Sequence, residues 1–324
     1  MNTQGAGPAG RGRWARQLKG IARVAAVAAL VWPLLGFACK TKETTRLAPE
    51  KVLPLQTATL EELLAKIEQA SNAMRSLNAE AEMAPTTGSE YSGVIEEYHD
   101  ARAFVLAQRD YQATDDPRQD SVYHVRLIGQ APIVRKTVFD MVADSRQFKI
   151  HLPTKNKFIV GSATLERRSE KPIENLRPQH LIEALFLPAP WANTPHLLEE
   201  NEFDGRRFYG VSEIVLDDSG QTILHRKWWF ERSRLELVRV QRFGLKGELV
   251  SDVRYADWRE ESGVPYPHQI ELSRPQDDYR LTLRFKKMTL NQPVAPEKFV
   301  LEKPEGAELV EVKPRAATES PAKP

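Results

Sequence analysis

"YRLTLRFKK", Tyr279–Lys287, decides the fold. Tyr279, Leu281, Leu283 and Phe285 alternate with Arg280, Thr282, Arg284 and Lys286. Successive side chains of a strand point to opposite faces, so this period of two marks a strand with one dry face and one wet face. Antiparallel sheets tolerate such one-sided solvation. The same alternation recurs in Tyr123, Val125 and Leu127, in Phe148, Ile150 and Leu152, and in Tyr266, Ile270 and Leu272. Within 234–243 the apolar set runs Leu235, Leu237 and then Val238, Val240. That one-residue slip predicts a bulge. With turn signals such as Asp217-Asp218-Ser219-Gly220, the chain reads as about eleven or twelve strands, mostly consecutive.

Two helices interrupt the strands. Thr59-Leu60-Glu61-Glu62 has the form of a capping box. Leu60, Leu63, Leu64, Ile67, Ala70 and Met74 follow at helical spacing and predict a helix over 59–76. In "NLRPQHLIEALFLPAPW", Asn175–Trp191, Pro178 suits a helix start, and Leu181, Ile182, Leu185 and Phe186 form a stripe. The fold class is therefore mainly β (α+β), with a single antiparallel sheet of about eleven strands. So many strands do not stay flat, so the sheet curls, and the helices line its concave face. Being short, they leave either a partly filled apolar cavity or a fully packed core built from the same residues.

Residues 1–38 hold Arg11, Arg13, Arg16, Lys19 and Arg23, no acidic residue, and an apolar run from Val24 to Ala38. This is the layout of a secretory signal. The run contains Pro33 and falls short of the roughly 20 residues a membrane-spanning helix needs. Leu35-Gly36-Phe37-Ala38-Cys39 resembles the lipobox of bacterial lipoproteins, and the resemblance implies a lipid on Cys39. Cys39 is the only cysteine, so no disulfide within the chain and no cysteine-built zinc cluster is open to it. Lys40 follows it, and by resemblance to lipoprotein sorting this implies the periplasmic face of the outer membrane. The organisation expected is a signal over 1–38, a lipidated tether over 39–58, one domain over 59–312 and a disordered tail over 313–324.

Removing 1–38 leaves 41 basic against 44 acidic residues. Nucleic-acid binding by phosphate neutralisation has no support in that balance. The sequence contains no HExxH, G-x-S-x-G, phosphate loop or dinucleotide fingerprint. The seven histidines, at 99, 124, 151, 180, 196, 225 and 268, never recur at the i, i+4 spacing of a helical zinc site. Glu96-Glu97 and Glu199-Glu200 read as solvated neighbours on opposite strand faces. Trp228-Trp229 places one indole in the core and one outside, where it could meet lipid or a partner. No enzyme, metal or cofactor is expected.

"MVADSRQFKIHLPTKNKFIVG", Met141–Gly161, and "LNQPVAPEKFVLEKPEGAELVEV", Leu290–Val312, resemble segments of the LolA/LolB-like lipoprotein-sorting superfamily, with Asn291, Phe299, Pro304 and Gly306 at matching places. The order helix, strands, helix, strands is also similar. The resemblance implies an open half-barrel closed by helices and a cavity for acyl chains of lipids or lipoproteins. Phe148, Ile150, Leu181, Ile182, Leu185, Phe186, Tyr266, Leu281 and Leu283 are the expected lining. The expected protein is a monomeric, outer-membrane-anchored lipid carrier; the alternative is an envelope lipoprotein acting as a scaffold or assembly partner.

Overall fold

The computed structural model describes residues 53–89, 94–97, 101–111, 121–162, 178–217 and 219–312. The signal, Cys39, the tether up to residue 52, His99 and the tail from 313 lie outside the described residues. Helix α1 (Leu60–Ala73) comes first, followed by β1 (Ser76–Ser89), β2 (Val94–Glu97), β3 (Ala101–Tyr111), β4 (Ser121–Gln130), β5 (Thr137–Asp144), β6 (Gln147–Leu152) and β7 (Lys157–Ser162). After helix α2 (Pro178–Leu185) come β8 (His196–Phe203), β9 (Arg206–Leu216), β10 (Thr222–Glu231), β11 (Glu236–Phe243), β12 (Leu249–Glu261), β13 (Val264–Arg274), β14 (Tyr279–Leu290) and β15 (Glu308–Val312).

The capping box forms as the sequence requires. The Thr59 hydroxyl accepts from the Glu62 N–H, and the Glu62 carboxylate accepts from the Thr59 N–H. Met74 is extended and buried, so α1 ends three residues short of the predicted 76. Asn291 fastens that end. At φ 59° it donates through Nδ2 to the Ala73 carbonyl and accepts at Oδ1 from the Arg75 N–H. Asparagine tolerates that left-handed backbone better than most residues. Just before α1, the Gln56 N–H donates to the Arg232 carbonyl at 2.8 Å, so the end of the 39–58 segment is hydrogen-bonded to the folded body.

All fifteen strands belong to one sheet. Fourteen follow the order β15-β7-β6-β5-β4-β3-β1-β14-β13-β12-β11-β10-β9-β8, and β2 pairs with β1 beside that path. The expectation of about eleven strands is too low. Strands such as β8, "HLLEENEF", and β1, where Ala79 and Ala81 occupy dry positions, carry little of the alternation that reveals a strand. The sheet is also not antiparallel throughout: β15 lies parallel to β7. Leu301 and Ala307 lead into it and bury Val142 and Phe158 in a small second cluster.

The curl follows from the reach of α2. This eight-residue helix is about 12 Å long. It contacts β5 and β4 on one side and β13 on the other, and its Glu183 meets Arg242 of β11 at 3.4 Å. In a flat sheet β5 and β11 would lie seven strand spacings apart, roughly 33 Å. The sheet must therefore wrap around α2. Leu181, Ile182, Ala184 and Leu185 are buried, and so are Pro178 and His180. α2 is thus an interior element and not an amphipathic cover, and helical coverage of the sheet is slight, which corrects the expected layout.

The predicted bulge is present. Trp229 pairs with Arg239 and Phe230 with Leu237, which leaves Val238 unpaired in β11. Leu283 is 1% exposed on the inner face, and Arg284 stands in solvent. Leu283→Asp is expected to lower the melting temperature severely, since it puts a charge among apolar neighbours. Arg284→Asp is expected to change stability by no more than about 0.5 kcal/mol. Thermal melts of the two variants check the facing of β14.

Candidate functional site

Two features stand out from the apolar packing. The first is a polar cluster on the inner face of β8 to β12. Glu213 is wholly buried on β9. Strand register places His196 of β8 on one side of it and Arg226 of β10 on the other. His196 Nε2 lies 3.4 Å from Glu213 Oε2, and Arg226 Nη1 lies 3.8 Å from Oε1. The pairing of β9 with β10 skips His225, a bulge that re-aims this side chain. His225 then stacks on Trp191, ring centroids 4.2 Å apart, with Nε2 3.9 Å from Glu213 Oε1.

Glu183 of α2 forms the other pole. His180 Nδ1 is 3.8 Å from its Oε2, and Arg242 Nε is 3.4 Å away. Burial alone would raise the Glu183 pKa, but the His180 contact and then the Arg242 guanidinium bring it down to about 2. Burial, followed by the repulsion of Arg226 and Arg242, pushes His225 down to about 4. Burial also lowers His180. Tyr255 of β12 is raised by burial and by Glu183. At neutral pH the cluster therefore holds ionised Glu183 beside neutral His180 and His225. Among the described residues, no group of three or more His, Cys, Asp or Glu side chains is arranged to hold a metal ion.

The same cluster holds the chain after α2. The Trp191 N–H donates to Glu213 Oε2 at 2.6 Å. Arg226 donates to the Ala189 carbonyl, Trp228 Nε1 to the Pro188 carbonyl, and the Tyr266 hydroxyl to the Leu185 carbonyl.

The second feature is an open cleft of about 610 Å³ between α1 and the turns that join β10 to β11 and β12 to β13. Ala70, Phe230, Leu235, Leu237, Trp258 and Val264 are among its lining, with Lys66, Arg234 and Glu236 as charged groups. Phe230 and Leu237 belong to the main core, so the cleft floor is continuous with it. Leu235 sits at φ 52°. Six of the nine non-glycine residues described in that left-handed region are Asn or Asp, whose side chains suit it; Leu235 is the one large apolar residue there. Strain of this kind, on the order of 1–3 kcal/mol, concentrates at ligand sites.

The nine apolar residues read from the sequence all lie in the main buried cluster, at 1–8% exposure. Leu181, Ile182, Leu185 and Phe186 come from α2 and its end, and the other five from β6, β13 and β14. Phe148 packs over Gly161, where a Cβ would come within 2.7 Å of its ring. None of the nine lines the cleft. Trp228 is fully buried, whereas Trp229 on the outer face is half-buried, with Lys227 over its ring and its indole N–H donating to Gln241. Glu199 pairs with Lys227 and Glu200 with Arg232; the side chains of Glu96 and Glu97 lie outside the description.

The polar cluster was not foreseen, although one signal for it exists. Glu213, Arg226 and Arg242 occupy the same parity as Val211, Trp228 and Val240, which puts a charge on the dry face of three successive strands.

No family model and no curated protein matches the chain. Among solved structures it is similar to a DUF1329 family protein from Desulfovibrio piger, at 13% identity and TM-score 0.48, over 74% of this chain and 94% of that one. It is also similar to a LolA superfamily protein from Nitrosomonas europaea, at 13% identity and TM-score 0.44, over 76% of this chain and 99% of that one. A third likeness is to a putative outer membrane lipoprotein-sorting protein domain from Vibrio parahaemolyticus, at 13% identity and TM-score 0.46, over 74% and 94% of the two chains.

Glu213→Leu would leave Arg226 buried without its neighbouring carboxylate and remove the acceptor of the Trp191 N–H. Breaking a buried pair from one side costs about 3–5 kcal/mol. Denaturant unfolding is expected to show a loss of that order, against no more than about 0.5 kcal/mol for the exposed Glu202→Ala.

Proposed function

We propose that the protein is a non-catalytic, monomeric binder of lipid acyl chains, anchored through Cys39 at the periplasmic face of the outer membrane. In this reading the sheet is an open half-barrel that handles lipids or lipoproteins in the periplasm. The observation that carries it is the apolar-floored cleft beside α1, with Leu235 held in a strained backbone at its edge. Its volume is that of a small-molecule site. Six methylenes buried there would contribute about 5 kcal/mol before the costs of association. The apolar lining selects poorly among chain lengths. Lys66 and Arg234 suit an anionic head group.

An exposed apolar tip supports the same reading. The hairpin between β4 and β5 exposes Ile133 at 92% and Val134 at 73%, followed by Arg135 and Lys136. Apolar side chains next to cations suit an anionic lipid interface. Among the described residues no helix is long and apolar enough to cross a membrane. The scaffold alternative uses the same sheet as a platform and needs no ligand in the cleft.

Leu235→Asn separates the two readings, because asparagine relieves the left-handed backbone and removes apolar lining. The expected result is an unchanged or higher melting temperature together with roughly tenfold weaker displacement of a fluorescent fatty acid, the loss of about 1.4 kcal/mol of binding. Wild-type protein that binds no fatty acid would favour the scaffold. In cell fractionation, Cys39→Ser is expected to move most of the protein from the membrane to the soluble periplasm. Adding Ile133→Asp is expected to abolish residual flotation with phosphatidylglycerol vesicles.

A further inference from the structure

The segment from Pro178 to Trp191 is held differently on its two sides. Towards β4 and β5 the visible contacts are aromatic and apolar, with Phe186 against Tyr123 at 5.0 Å and Met141 in the shared core. Towards β8 to β13 it is held by polar groups: Glu183 to Arg242, Trp191 to Glu213 and His225, Ala189 to Arg226, and Leu185 to Tyr266. We propose that Pro178–Trp191 is a plug inside the curled sheet, latched by this buried cluster, and that acidification releases the latch. The proposal stands apart from the acyl-chain reading of the cleft.

Charge balance supplies the mechanism. Glu183 and Glu213 face Arg226 and Arg242, so two carboxylates stand against two guanidiniums with His180, His196 and His225 alongside; His180 and His225 are neutral. Each imidazole lies 3.4–3.9 Å from a carboxylate, too long for a closed hydrogen bond. A proton on His180 or His225 therefore adds a buried positive charge beside two guanidiniums. The other titratable groups facing the cluster are Tyr255 of β12, Tyr266 of β13 and Arg274 at the end of β13, itself paired with Asp277. From β4 the neighbour is Tyr123, and the inner residues of β5 are Phe139, Met141 and Ala143.

The sign is fixed by the depressed histidines. When the plug is out, His225 and His180 return to about 6.5; in the closed state His225 is at about 4 and His180 is also lowered. The open state thus binds more protons, and the closed state loses ground as pH falls from about 6.5 towards 4. For His225 alone the shift in the opening equilibrium between pH 7.5 and 5.0 reaches about 30-fold. Release would uncover the apolar inner face that includes Tyr266, Leu281 and Leu283.

Hydrogen–deuterium exchange of the full chain at pH 7.5 and 5.0, corrected for intrinsic exchange, tests this. Amides of 178–191 are expected to lose protection by tenfold or more at pH 5.0 while β1 and β14 keep theirs. His225→Phe keeps an aromatic ring against Trp191 but cannot charge, and it is expected to cut the pH effect at least fivefold. His225→Asn provides the same test should the phenylalanine misfold. Protection of 178–191 that does not change with pH overturns the proposal. So does equal loss across β1 and β14, which is general acid unfolding, or an undiminished pH effect in the His225 variants.

Discussion

The structure depends on the pairing of β1 with β14. Strands β1 and β3 to β7 form one series of neighbours, and β8 to β14 form another. Among the described residues, the strand pairing that joins the two is the ladder from Leu77↔Leu290 to Thr87↔Tyr279. It links the first strand to a strand some two hundred residues later, so it closes a long loop whose entropy is repaid only by the contacts that follow. Two alanines and a methionine of β1, Ala79, Ala81 and Met83, face this junction alongside Leu281, Leu283 and Phe285. Asn291 stands one residue beyond β14 and ties it to the end of α1. Helix placement and sheet closure are thus set by one corner.

Wrapping a sheet around a short central helix produces two environments. Near β1 and β14 the inner face is dry and filled. Further along, at β9 to β11, charged residues point inward and find partners on the plug segment. The cleft lies elsewhere again, where α1 stands off the strand ends and the turns do not close. The proposed binding and latching therefore fall in different parts of the structure, and a change at one need not disturb the other.

Much of the fold was legible because its signals are local. The capping box at Thr59 and Glu62 needs four residues, the alternation of Tyr279–Phe285 needs seven, and the bulge at Val238 shows as a break in parity. The strand count failed where alternation is weak, as in β8, or where dry positions hold alanine, as in β1. The parallel strand β15 depends on a partner about 150 residues away, which no local pattern announces. The nine residues proposed as cavity lining were recognisable as inward-facing, but packing decides whether inward means lining or filling. The cleft was invisible, since it forms where α1 meets two turns far from it in sequence. The polar cluster lay between these cases: parity marked Glu213, Arg226 and Arg242 as inward charges, while the bulge that turns His225 towards them was not readable.

The borders of an open sheet are its points of exposure, since an unpaired strand edge invites another strand. Here β15 covers β7 on one side. At the other side β8 carries Glu199, Glu200 and Glu202 in sequence with Asn201. Two copies meeting along β8 would set carboxylates against carboxylates and pull Glu199 and Glu200 from Lys227 and Arg232. An acidic rim of this kind works against the growth of a sheet, edge to edge, into the next molecule.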